Sequence, residues 1–329
     1  MSAEDRHRFM KKEKRKMTIL SFDIGGTAIK YGLIDDDFLI VENGEIPSLD
    51  SEYTEVCAAG VMKALKKIMT EYKGKYDAIG ISTAGQVDFK RGYIVTGSDN
   101  IPGFTDTDMK GIFEREYGVP VAVDNDVNCA GVGEAHFGAG RGFDNFICLT
   151  YGTGVGGAIY LDGQLYRGYK SAAGEFGHMF THVGGNRCTC GREGCYEAYA
   201  SCRALSDVVS EKYGRYMSGR EIFKPENLAD PFIQEALDNW ENEIVNGLIS
   251  LSYIFNPPLI ILGGGIMNEE ILVEHIREKL IKSVGVNYQK VRIEKAQLGN
   301  KAGMLGASYL AKQRLDTLDN SDLLRLLNK

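Results

Sequence analysis

The sequence predicts an α/β protein built as two lobes, and three observations carry that reading. Apolar strand-like runs alternate with segments of helical spacing along most of the 329 residues. A hairpin with a glycine-rich tip occurs twice, near residues 25 and 154, which reads as an internal duplication. The length suits two domains of ordinary size, and an apolar content of 43% supplies a core.

The elements follow in order. Residues 1–16 are polar and contain Lys11-Lys12-Glu13-Lys14-Arg15-Lys16, a solvated or tag-like extension. A strand over 18–23, the turn Gly25-Gly26-Thr27 and a strand over 29–34 make the first hairpin. Residues 53–72 set Val56, Val61, Leu65, Ile68 and Met69 at helical spacing. A buried strand over 78–82 ends in Thr83-Ala84-Gly85, and a helix covers 108–117. A strand over 119–123 runs into Asp124-Asn125-Asp126, and a helix follows over 128–135. The second half repeats the pattern with a strand over 146–150, a glycine turn over 152–157 and a strand over 158–161. Residues 203–255 read as largely helical, 259–262 as a strand ending in Gly263-Gly264-Gly265, and 269–280 and 303–313 as helices. The first lobe is expected over 17–122 and the second over 123–302.

Composition excludes several functions. A net charge of −7 argues against general nucleic-acid binding. The most apolar stretch, 247–266, is broken by Asn256-Pro257-Pro258, so no membrane span is expected there. No secretory leader is recognisable, and the expected location is cytoplasmic. In that setting the clustered Cys188, Cys190 and Cys195 suggest metal more than disulfides. Residues 152–157 match G-x-G-x-x-G, but Ala158-Ile159-Tyr160-Leu161 reads as strand, whereas a dinucleotide fingerprint opens a helix there. No G-x-x-x-x-G-K-[ST] loop is present, so phosphates would be held by paired hairpin tips.

Three glycine turns at strand ends are therefore candidate phosphate loops, because glycine lets backbone N–H groups approach an anion. Ordinary hairpins use the same turns. Asp23, just before the first tip, is placed to hold Mg²⁺ or to cap the turn. Either Asp126 or Asp124 is placed to accept a hydroxyl proton, with Asn125 on neighbouring hydroxyls. The competing role of this run is a helix cap. Cys188, Cys190 and Cys195 with His178 form a Cys₃His set for structural Zn²⁺, and His182 competes as fourth ligand. Glu175 and Glu197 bracket this loop, either as acceptors for sugar hydroxyls or as surface charge.

These segments, in this order over residues 17 to about 312, resemble the ROK family of kinases and repressors. The carriers are Asp23-Ile24-Gly25-Gly26-Thr27, Asp124-Asn125-Asp126, Gly152-Thr153-Gly154-Val155-Gly156-Gly157, Glu175-Phe176-Gly177-His178, the cysteine knuckle through Glu197, and Leu262-Gly263-Gly264-Gly265-Ile266. The resemblance implies an actin-like, sugar-kinase ATPase fold of duplicated ribonuclease H-like domains, in which a C-terminal helix about 303–315 returns to the first lobe. It implies an ATP-dependent sugar kinase using Mg²⁺ and structural Zn²⁺, with a cleft between the lobes and a homodimeric assembly. Asp126 matches the catalytic base. Asn100, Asn125, Glu175, His178 and Glu197 match sugar contacts, and Gly85 stands on the sugar side near Asp88. His178 would also touch zinc through its other ring nitrogen. Gly25, Gly26 and Thr27 match the first phosphate loop, Gly152, Thr153 and Gly154 the second, and Gly264 and Gly265 the adenosine region. Two residues depart from the family pattern. Tyr151 stands where an aliphatic residue is usual, and Ala84-Gly85 replaces Pro-Gly. Family repressors carry a winged helix before the first strand, which here begins near residue 18, so a kinase is favoured over a sugar-sensing regulator. Glucose, N-acetylmannosamine and β-glucosides all stay open as acceptors.

Overall fold

The computed structural model describes residues 16–318, so all of the expected extension except Lys16 lies outside the described residues. The described residues form two compact units, one of 16–124 together with 307–318, the other of 125–306.

In the first unit, β1 (Thr18–Ile24) pairs antiparallel with β2 (Ala28–Asp35), which pairs antiparallel with β3 (Ile40–Pro47). Parallel to β1 runs β4 (Ala78–Thr83), and with β7 (Val121–Asn125) the sheet order is β3-β2-β1-β4-β7. A separate ribbon joins β5 (Gln86–Asp88) to β6 (Tyr93–Thr96). The central β4 is buried at every position, as a strand covered on both faces must be. Its core joins Phe22, Ile24, Ile79 and Ile81 to Leu65 and Ile68 of α1 (Ala58–Glu71) and Phe113 of α2 (Met109–Tyr117). The helix expected from residue 53 starts at Ala58, because Cys57 is extended and the Ala58 N–H donates to the Pro102 carbonyl.

In the second unit, α3 (Asp126–Phe137) precedes β8 (Phe146–Tyr151), β9 (Val155–Leu161) and β10 (Gln164–Leu165). After short helices α4 (Glu197–Ala200), α5 (Cys202–Tyr213), α6 (Gly219–Ile222) and α7 (Pro225–Leu228) comes the long α8 (Pro231–Phe255). It buries Trp240, Ile244, Leu248 and Leu251 and stops at Asn256, which is left-handed at φ 41°. Then follow β11 (Leu259–Gly263), α9 (Glu270–Ser283), β12 (Arg292–Lys295) and α10 (Ala302–Thr317). The sheet order β10-β9-β8-β11-β12 repeats that of the first unit, with an antiparallel pair β8·β9 and parallel β8·β11. The expected duplication is therefore present as two five-stranded sheets of the same order.

Two further boundaries differ from the sequence reading. The second glycine turn closes by Gly154, and Gly156 and Gly157 belong to β9. A Cβ on Gly156 would strike Val127 and one on Gly157 would strike the Phe176 ring, so packing explains these glycines. The helix expected at residue 128 starts at Asp126, because the Asn125 side chain caps the N–H groups of Val127 and Asn128.

The division between units falls inside α10. Within the second unit, Gly306 lies so close to α3 that a Cβ would penetrate the Cys129 carbonyl. Within the first, Gly80 presses on the Ala307 carbonyl and Arg314 pairs with Glu114 at 2.6 Å. Glu134 of α3 is buried at 1% exposure and accepts three backbone N–H bonds, from Ala139 at 2.8 Å, Gln297 at 3.1 Å and Leu298 at 2.9 Å. Glu134→Ala would orphan all three donors and is expected to cost about 3 kcal/mol, read as a lower urea midpoint.

Candidate functional site

In the first unit, Asp23 lies opposite Lys30 in the hairpin and opposite Ser82 across the parallel ladder. Ser82 Oγ donates to its carboxylate at 2.7 Å, and Lys30 Nζ stands at 4.0 Å. Burial raises the Asp23 carboxyl above the usual range, and Ser82 and Lys30 act against that rise. The tip beyond it is braced by buried Ser48, whose N–H donates to the Thr27 carbonyl and whose hydroxyl donates to the Gly25 carbonyl at 2.6 Å. A Cβ on Gly26 would sit 2.8 Å from Asn100 Cβ, so the first tip and Asn100 are neighbours. Gly85 adopts φ 99° where the backbone enters β5, and a Cβ there would meet the Thr96 carbonyl. Lys30, Ser48 and Ser82 were absent from the sequence reading. The hairpin register supplies the signal for Lys30, which faces Asp23 directly.

The second unit gathers more of the candidates. Asp126 opens α3, where the helix dipole favours a carboxylate, and its Oδ1 accepts the Val127 N–H at 2.9 Å. Val127 packs on Gly156, which sets the start of α3 beside the second tip. At that tip Thr153 is exposed, and a Cβ on Gly154 would lie 2.6 Å from Glu197 Oε2. The same carboxylate oxygen accepts the Val155 N–H at 3.3 Å. Phe176–His178 forms a 3₁₀ turn after exposed Glu175, and Gly177 presses on the Val155 carbonyl. Gly264, at φ 98°, backs onto the Tyr151 backbone, where any Cβ would collide. A cavity of about 520 Å³ is lined in part by Thr153, Thr189, Glu197, Tyr199 and Trp240. Another of about 170 Å³ is lined in part by Glu134, Thr150, Gly264, Gly265 and Lys295.

The knuckle is closed by an Arg187–Glu193 bridge and by the Cys188 N–H donating to the Arg192 carbonyl, with Gly191 and Gly194 at positive φ. It brings one donor atom each from His178, Cys188, Cys190 and Cys195 within 4.8 Å of one another. Cys190 and Cys195 sulfurs are 3.6 Å apart, and Cys188 Sγ lies 3.8 Å from His178 Nδ1. Tetrahedral zinc with bonds of about 2.0–2.3 Å needs edges of about 3.5–3.8 Å, so the set fits zinc. His182 is elsewhere, stacked on Tyr199 with its Nε2 3.5 Å from Glu243, which resolves the choice of fourth ligand toward His178. Glu197 Oε1 is 3.0 Å from Cys188 Sγ, 3.2 Å from Thr189 Oγ1 and 3.7 Å from His178 Nδ1. Burial, and after it Glu197, pushes the Cys188 thiol up to about 12. The carboxylate and the metal loop thus share one corner of this unit.

Twin sheets of equal strand order, each with a glycine tip, define an actin-like α/β protein, and its knuckle has the chemistry of a zinc site. The chain belongs to the ROK family, whose model matches residues 19–314. A β-glucoside kinase of Listeria innocua is 33% identical over 302 residues, covering 89% of this chain and 97% of that protein. A glucokinase of Streptomyces coelicolor is 32% identical over 319 residues, covering 89% of this chain and 97% of that protein. A crystal structure of a ROK family glucokinase from Streptomyces griseus in complex with glucose and AMPPNP matches with TM-score 0.77 at 32% identity, covering 90% of this chain and 99% of that one. No helix among the described residues is long and apolar enough to cross a membrane.

Proposed function

We propose that this chain is an ATP-dependent hexose kinase that phosphorylates the 6-hydroxyl of glucose or N-acetylmannosamine. The observation that carries the reading is the gathering, within one unit, of the Asp126 helix start, the Glu175–His178 turn and Glu197 around the second glycine tip. Asp126 accepts the hydroxyl proton as the phosphoryl group transfers. Glu175, His178 and Glu197 hold sugar hydroxyls, with Asn125 and, from the first unit, Asn100 and Gly85 on the sugar side. Gly25, Gly26, Thr27, Gly152, Thr153 and Gly154 present backbone and hydroxyl donors to phosphates, and Gly264 and Gly265 face the adenosine. Asp23 would hold Mg²⁺, which neutralises phosphate charge when bound. His178, Cys188, Cys190 and Cys195 would hold Zn²⁺ as a structural brace. A cytoplasmic homodimer belongs to the same reading.

A second reading, a β-glucoside kinase, is supported by the Listeria relative. A coupled ATP-consumption assay over glucose, N-acetylmannosamine and β-glucosides decides between acceptors. Tight sugar binding without turnover on any of them would instead make the chain a sugar sensor.

A further inference from the structure

We propose that Tyr151 is a positioning residue whose hydroxyl, bonded to Tyr196, holds Glu197 in place beside the 152–154 tip. The inference rests on the sugar-binding role proposed for Glu197.

Tyr151 and Tyr196 are both fully buried, with hydroxyl oxygens 2.9 Å apart and rings edge to face at 82°. The Tyr196 hydroxyl donates its single hydrogen to the Ile244 carbonyl of α8 at 2.8 Å. It therefore accepts from Tyr151, and the chain of bonds runs Tyr151 to Tyr196 to Ile244. A Cβ on Gly247 would collide with the Tyr196 ring, so α8 makes room for that ring at this turn.

The two residues occupy telling places. Tyr151 immediately precedes Gly152, and Tyr196 lies between the metal-ligand candidate Cys195 and Glu197. The hydroxyl bridge thus joins the second tip to the exit of the knuckle. The two ends are not equally anchored. Tyr151 is fixed in the sheet by its pairing with Val155. Tyr196 sits outside the ladders, its N–H on the Met179 carbonyl at 2.8 Å. Loss of the bridge should leave the Tyr196 hydroxyl on Ile244 alone and loosen the Glu197 side, while the tip keeps its ladder.

The test is Tyr151→Phe. It leaves Tyr196 bonded to Ile244 and orphans no buried donor, so the fold should persist. Sugar affinity, by calorimetry and by KM, is expected to weaken about three- to tenfold, the worth of one buried hydrogen bond, with KM for ATP unmoved. Tyr196→Phe should weaken sugar affinity likewise and lower the melting temperature further, because it leaves the buried Tyr151 hydroxyl without its acceptor. A Tyr151→Phe protein whose sugar affinity equals that of wild type overturns the inference, whatever its melting temperature. So does an equal rise in KM for both substrates. A wild-type protein that neither binds nor phosphorylates any sugar overturns this inference and the proposed function together, whereas wild-type binding with an unaffected variant overturns this inference alone.

Discussion

Asp126→Asn is expected to lower kcat by about 10²–10⁴-fold while sugar affinity stays within a few-fold. The substitution keeps the shape and the acceptor that takes the Val127 N–H at 2.9 Å, so the first turn of α3 should survive. An amide cannot take a proton from the sugar hydroxyl, and the charge it removes from the helix start should cost only about 0.3–1 kcal/mol. Asp124, the other carboxylate in the run, is fully buried, whereas Asp126 is half-buried at the helix start. The position with access is thus Asp126. Calorimetry with the sugar and a coupled kinase assay measure the two quantities separately. Full activity in the variant would remove Asp126 from the mechanism.

Loss of the metal should act on recognition and stability rather than on proton transfer. Cys195→Ser, at a position with no solvent exposure, is expected to abolish stoichiometric zinc by elemental analysis. We expect the melting temperature to fall by about 5–10 °C, which for a unit of this size corresponds to a few kcal/mol. We also expect sugar affinity to weaken at least about tenfold, because Glu197 Oε1 lies within 3.7 Å of both Cys188 Sγ and His178 Nδ1. Chelation of the wild-type protein should reproduce both effects. Metal-free protein with full stability and sugar affinity would remove the brace while leaving the kinase reading intact.

Much of this was legible in the residues, and the gaps have physical causes. β1, β4, β8 and β11 are buried apolar runs closed by turn residues, which is the clearest strand signal available. β3 was not foreseen, since Ile-Val-Glu-Asn-Gly-Glu-Ile-Pro is an exposed edge strand carrying charges and a proline. β12, Arg-Ile-Glu-Lys, hides for the same reason. The knuckle was readable from spacing, because ligand chemistry survives without any knowledge of packing. Which histidine completes it was not readable, since His182 and His178 differ only in where the loop turns. The Glu134 clamp was invisible as well, because two of its three donors lie more than 160 positions along the chain.

The equal strand order of the two sheets carries one more consequence. Ile24 pairs with Ile29 at the first tip as Tyr151 pairs with Val155 at the second, so Asp23 and Thr150 occupy the same place in the two copies. One copy bears an anion there and the other a neutral hydroxyl. In the first copy that carboxylate faces Lys30 and Ser82, whereas in the second Thr150 lies opposite Gly156. The same backbone turn thus carries different charge in its two copies.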